Sequence, residues 1–177
     1  MLIFLGINTT VYNTVMLDIE QFETKIGKKS RLLGLDPGKK RIGIAICDEN
    51  KIVATPYTTI IKNKFSDLLD ELNKIINENN IEGLIIGNPI NLDGSPSQSS
   101  QSAKDLAINL SKNISIPITM WDERLSSQGA FKISNELNVN TSKKIEKLDE
   151  NSAAFILQGA LDYLNRNNTW SHSTKGL

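Results

Sequence analysis

The chain has one cysteine and one histidine in 177 residues, and these two scarcities remove whole classes of chemistry. Cys47 has no second cysteine to pair with, so an intrachain disulfide is excluded. A lone cysteine inside an apolar run fits a reducing compartment such as the cytoplasm and reads as a small core residue. His172 lies in the polar tail "NNTWSHSTKGL", away from any apolar periodicity. A histidine-based triad, a His–carboxylate dyad on the core and a His-rich zinc site are therefore all excluded as expectations. If the protein is an enzyme, carboxylates must carry its chemistry.

A surplus of either charge is missing as well. Twenty Lys+Arg balance twenty Asp+Glu, so no global field selects a nucleic acid or a membrane, and any such partner must be held by local clustering. The opening "MLIFLGINTTVYNTVMLDIEQFE" starts apolar, but it lacks a basic leader and a small-residue cleavage site and is too short to span a bilayer, so no membrane partner is expected. Met16 reads as a natural start, with residues 1–15 as an extension. Repeats and long low-complexity tracts are absent too. A hydrophobic content of 39% then fits one soluble domain with a full core.

One charge cluster is present. Lys25, Lys28, Lys29, Arg31, Lys39, Lys40 and Arg41 surround a single acid, Asp36, which makes either a solvated face or a surface for an anionic ligand. Around that acid, residues 31–36, 41–47 and 51–60 read as strands joined by the turns "PGKK" and "DENK", which predicts an antiparallel meander. "FSDLLDELNKII" then places Phe65, Leu68, Leu69, Leu72, Ile75 and Ile76 at helical spacing. A strand at 83–87, a helix at about 98–112, a strand at 116–121 and a helix at about 126–137 follow. This α-β-α-β-α order calls for parallel strands covered by helices. After "NVNTSKKIEK", which is expected to be mobile, a last helix is expected from about Asp149 to Asn165. The expected whole is an α/β fold, a five-stranded mixed sheet with helices on both faces. Residues 1–30 would form a partly disordered extension with a short helix at about 17–25, residues 31–166 the domain, and 167–177 a tail.

Asp36, the pair Asp122-Glu123 and Asp149 each have an ordinary explanation, as turn initiation, ion pairing at a helix entry and N-capping respectively. Together they say more, because strand ends and a helix N-terminus packed on one sheet can bring distant carboxylates together. Such carboxylates repel unless a divalent cation neutralises them, and oxygen-only donors select Mg²⁺ or Mn²⁺. Two such ions would clamp a phosphodiester and activate water against it.

"LDPGKKRIGIAICD", "IIGNPINLDGS", "WDERLSS" and "LDENSAAFILQGALDYL", in this order, resemble the YqgF (RuvX) family of the RNase H-like, RuvC-related nucleases over roughly residues 31–165. The resemblance implies a nuclease acting in pre-16S rRNA maturation, with Holliday-junction resolution as the other activity proposed for the family. By motif, Asp36, Glu123 and Asp149 match the family's metal-binding catalytic acids, with Asp122 as the fallback for Glu123. Arg41 and Arg124 match its basic companions; with Lys39, Lys40 and Asn88 they are the expected nucleic-acid contacts. Gly38, Gly87 and Pro89 would let a substrate backbone approach closely, and the 88–102 loop could close over it. RuvC resolvases carry an acid at the end of the fourth strand, where this chain has Gly87-Asn88.

The expected partners are structured or single-stranded RNA, branched DNA, and ribosome precursors, bound by a monomer or a homodimer. The competing reading is a non-catalytic nucleic-acid-binding transcription or ribosome factor. A phosphotransferase of the actin and sugar-kinase type would need the fold twice, and the chain has room for it once.

Overall fold

Two turns cut the first apolar stretch into a meander. The computed structural model describes residues 16–90, 95, 97–123 and 151–166. In it, α1 (Ile19–Glu23) precedes the strands β1 (Arg31–Pro37), β2 (Arg41–Cys47) and β3 (Ala54–Ile61). β3 begins at Ala54 rather than at residue 51 because the Asp48 carboxylate claims the preceding backbone. It accepts from the N–H groups of Asn50, Ile52 and Val53 at 3.0, 2.8 and 2.7 Å. The bond from Val53, first among these, holds the Asp48 carboxyl below its usual pKa. Then come α2 (Phe65–Asn79), β4 (Ile81–Asn88), α3 (Gln98–Ser111), β5 (Ile118–Asp122) and a helix, α4, over 151–166.

The sheet order is β3-β2-β1-β4-β5. β1 pairs antiparallel with β2, and β2 with β3; β1 pairs parallel with β4, and β4 with β5. The five-stranded mixed sheet is therefore the one the sequence predicts, with helices on both faces. Strand alternation sorts the side chains into two cores. On one face, Leu33, Leu35, Ile42, Ile44, Ile60, Leu84 and Ile86 pack beneath α2 and α3. Leu68, Leu72, Ile75 and Ile76 form the buried stripe of α2, while Phe65 at its first position stays exposed. On the other face, Leu32, Ala45, Cys47, Ile85 and Trp121 meet α1 and α4. Cys47 is buried, as expected of a core residue; burial is the first cause raising its thiol pKa.

Residues 16–30 are knitted onto this second face. Phe22 is fully buried, and Leu17 bridges to Thr119, whose hydroxyl donates to the Leu17 carbonyl at 2.9 Å. Asp18 caps α1 by a reciprocal box with Gln21. The Lys51 ammonium donates to the carbonyls of Gly27 and Lys28 at 2.6 and 2.7 Å, closing the loop that leads into β1. Among the described residues no helix is long and apolar enough to cross a membrane. The expected helix at 126–137, the extension 1–15 and the tail 167–177 lie outside the described residues.

Candidate active site

Asp36 is near the end of β1, where Leu33 and Leu35 point into the α2/α3 core. Alternation therefore turns Asp36 to the opposite face, which α4 covers farther along. The same logic acts on β5. Ile118 belongs to the α2/α3 core and Trp121 to the α4 core, so Glu123, one residue past the strand, follows Trp121. Asp122 lies between them, in register with Asn88, and takes the other face.

Asp36 and Glu123 are thus brought to one face of one sheet end, although 87 positions separate 36 from 123 in sequence. Glu123 registers the proximity. Its carboxyl is pushed up to about 7, first by burial, then by the charge of Asp36, then by that of Asp122. Of the pair at 122–123, Glu123 is the one on the Asp36 side.

Gly87 makes this approach possible. It sits one residue beyond the Leu35–Ile86 pairing of β1 with β4, and hence beside Asp36, and it pairs with Trp121 on β5. A Cβ at this position would lie 2.5 Å from Ile156 Cδ1 and 2.8 Å from Glu123 Oε1. The volume that a side chain would occupy is filled by α4 and by the carboxylate of Glu123. The need for glycine here thus comes from packing inside the protein, where the sequence suggested room for a substrate. Gly38 has a similar internal reason, since a Cβ would meet the Arg41 carbonyl oxygen at 2.7 Å across the turn.

The cations of the hairpin surround the same end. Lys39 and Lys40 are exposed at the turn tip. Arg41 opens β2 on the Asp36 side, as Ile42 faces the other core. Its Nη1 is buried and has no hydrogen-bond partner among the described residues. Asn88 behaves differently, because its Oδ1 accepts a hydrogen bond from the Ser100 hydroxyl at 2.7 Å. That bond ties β4 to α3 on the face away from Asp36. Just beyond it, the Pro89 carbonyl accepts from the Ser97 hydroxyl at 2.7 Å, and Ser97 also caps α3.

Asp149 and Arg124 lie outside the described residues. Among the described residues no three His, Cys, Asp or Glu side chains gather closely enough to hold a metal ion. The donor chemistry of Asp36 and Glu123 nevertheless fits a hard divalent cation. Both offer only oxygen, and the charge of Asp36 adds to the cost of ionising Glu123, a cost that a shared cation removes. No motif or periodicity singles out Thr59, whose Oγ1 is also buried with no partner among the described residues. A threonine in a strand is ordinary; only the register, which sets it opposite Gly43, puts it on the Asp36 face.

The family model for RuvX, described as Holliday junction resolvase, matches residues 30–163. A protein of Pelagibacter ubique named "Putative pre-16S rRNA nuclease" is 54% identical over 150 residues, covering 85% of this chain and 99% of its own. One of the same name from Rhodobacter capsulatus is 41% identical over 146 residues, covering 82% and 92%. Among solved structures, RuvC of T. thermophilus, in complex with a Holliday junction substrate, superposes with a TM-score of 0.50 at 9% identity, covering 73% of this chain and 91% of that one. At that identity the likeness concerns the fold, which is RNase H-like. The match across most of the chain, the extent of the relatives' identity and the five-stranded sheet agree: the chain belongs to the RuvX family.

Proposed function

We propose that this protein is a metal-dependent endonuclease that hydrolyses nucleic-acid phosphodiesters in the cytoplasm, acting in 5′-end maturation of pre-16S rRNA. The observation that carries the reading is the meeting of Asp36 and Glu123 on one face of the sheet end, with Glu123 raised to about 7. Asp36, Glu123 and Asp149 would hold Mg²⁺ or Mn²⁺, which supplies Lewis acidity and a water of lowered pKa when bound. Lys39 and Lys40, exposed at the hairpin tip, draw the phosphate backbone towards the carboxylates, and Arg124 is assigned to a phosphate. The names of the 54% and 41% identical relatives support an RNA substrate.

Junction cleavage is the second reading, favoured by the description of the matching family model. It would require a dimer presenting two sites. Pure protein, supplied with Mg²⁺ or Mn²⁺, is to be assayed side by side on precursor 16S rRNA and on a four-way DNA junction, with its solution mass measured. Cleavage of the rRNA precursor by a monomer supports the first reading. Symmetric junction cleavage by a dimer supports the second, and cation-independent RNA binding without cleavage would replace both with a non-catalytic factor.

A further inference from the structure

We propose that Thr59 is a substrate-binding residue, which together with Arg41 holds a backbone phosphate adjacent to the one at the carboxylates. This rests on the nucleic-acid reading above and extends the site from β1 across β2 to β3.

The placement follows from register. Asp36 pairs with Gly43, and Gly43 pairs with Thr59, so the three stand in one row across β1, β2 and β3. Ile60 is buried in the α2/α3 core, which turns Thr59 to the face that carries Asp36. Strand spacing puts the Thr59 backbone about 10 Å from that of Asp36, a neighbouring subsite rather than the same one. Gly43 places no side chain between them. Arg41 is on the same face, two residues before Gly43 and paired with Ile61, which makes it the diagonal neighbour of Thr59 and within reach of a long side chain.

Among the described residues, Thr59 Oγ1 and Arg41 Nη1 are the buried side-chain polar atoms without a hydrogen-bond partner. Such groups are rare in folded proteins, because each has given up water and gained nothing in return. Two of them as near neighbours, both able to donate, are matched by one ligand with several acceptor oxygens. A guanidinium and a hydroxyl that were partners of each other would be satisfied; these are not. Both residues are only partly buried, and side chains at binding surfaces commonly change rotamer when a ligand binds. A phosphate supplies acceptors to both and the negative charge that Arg41 requires.

The test measures binding in an Asp36→Asn background, where cleavage does not interfere. A fluorescein-labelled single-stranded RNA and a labelled four-way DNA junction serve as probes. Thr59→Val keeps the shape and removes the hydroxyl; it should weaken binding of the preferred probe about tenfold, as loss of a hydrogen bond to a charged group does. Thr59→Ser should restore it. Arg41→Met should reduce the slope of log affinity against log salt by about 0.7 on single-stranded RNA, whereas Thr59→Val should leave the slope unchanged. The double variant should lose less than the two single losses combined, since both groups hold one phosphate. Thr59→Val should also melt no lower than its parent, because it buries no unpaired hydroxyl. Unchanged binding by Thr59→Val beside a parent that binds overturns this inference alone, as does a clear fall in its melting temperature, which would reveal a protein partner for the hydroxyl. A parent that binds neither probe overturns the nucleic-acid reading itself.

Discussion

The carboxylates of Asp36 and Glu123 share one face of the sheet although their strands are separated by β4, and Glu123 takes the volume that a side chain on Gly87 would fill. A Cβ on Gly87 would lie 2.8 Å from Glu123 Oε1, closer than real Cβ contacts come. Backbone, helix packing and carboxylate geometry therefore meet at a single position.

Gly87→Ala should consequently do two things at once. The methyl group must displace Ile156 of α4 as well as Glu123, and overpacking of this kind costs about 1–3 kcal/mol. Thermal unfolding should show that loss. Cleavage should fall further than the stability loss explains, because Glu123 is pushed from its place opposite Asp36. A Gly87→Ala protein with full activity and an unchanged melting temperature would contradict the packing described.

Glu123 should give the cation-free protein a distinctive pH dependence. Its carboxyl is raised from 4.5 to about 7, so the folded state holds a proton that the unfolded state has released. The stability associated with that proton is fully present below the unfolded value of 4.5 and is lost as pH rises through about 7. Melting temperatures in chelator should therefore fall between these limits, beyond the drift caused by other groups, and Glu123→Gln should flatten that part of the profile. Added Mg²⁺ or Mn²⁺ should stabilise the wild type more as pH rises, because binding must displace the proton. Identical profiles for wild type and Glu123→Gln would show that the carboxyl is not shifted.

Lys51 joins the entry loop to the sheet far from the carboxylates. Its ammonium donates to the Gly27 and Lys28 carbonyls and to Ser30 Oγ, at 2.6, 2.7 and 3.2 Å. Lys51→Met keeps the apolar stem but removes the ammonium from all three acceptors, leaving the Gly27 carbonyl only its bond from the Ser30 hydroxyl. A loss of about 1–3 kcal/mol is expected in denaturant unfolding, with cleavage per folded molecule unchanged. An unaltered unfolding midpoint would mean that the contacts contribute nothing net.

Much of the sheet was legible because its signals are local. Pro37-Gly38 marks the first turn, and the alternation at Ile42, Ile44 and Ile46 marks the second strand. The start of β3 was not legible, since whether Asp48 captures the N–H groups of Ile52 and Val53 depends on the turn closing. Nor was the docking of Phe22, a single aromatic in a short helix whose burial depends on the far side of the sheet. For the site, the motifs single out Asp36 and Glu123, and strand alternation separates Glu123 from Asp122. Gly87, Asn88 and Thr59 could not be read in this way. The first serves internal packing, the second is bonded to Ser100, and the third depends on strand register, which residue identities alone do not reveal.

On the proposed function, Asp36 belongs to a cation-dependent hydrolytic site rather than to a turn. Asp36→Asn keeps the size and turn-forming capacity of the side chain and removes its charge. The decisive measurement is the Mg²⁺- or Mn²⁺-stimulated cleavage of precursor 16S rRNA by this variant, with RNA affinity and melting temperature determined on the same preparation. Cleavage should disappear while affinity and melting temperature remain close to the wild-type values; cleavage that persists at the wild-type rate would return Asp36 to a turn role.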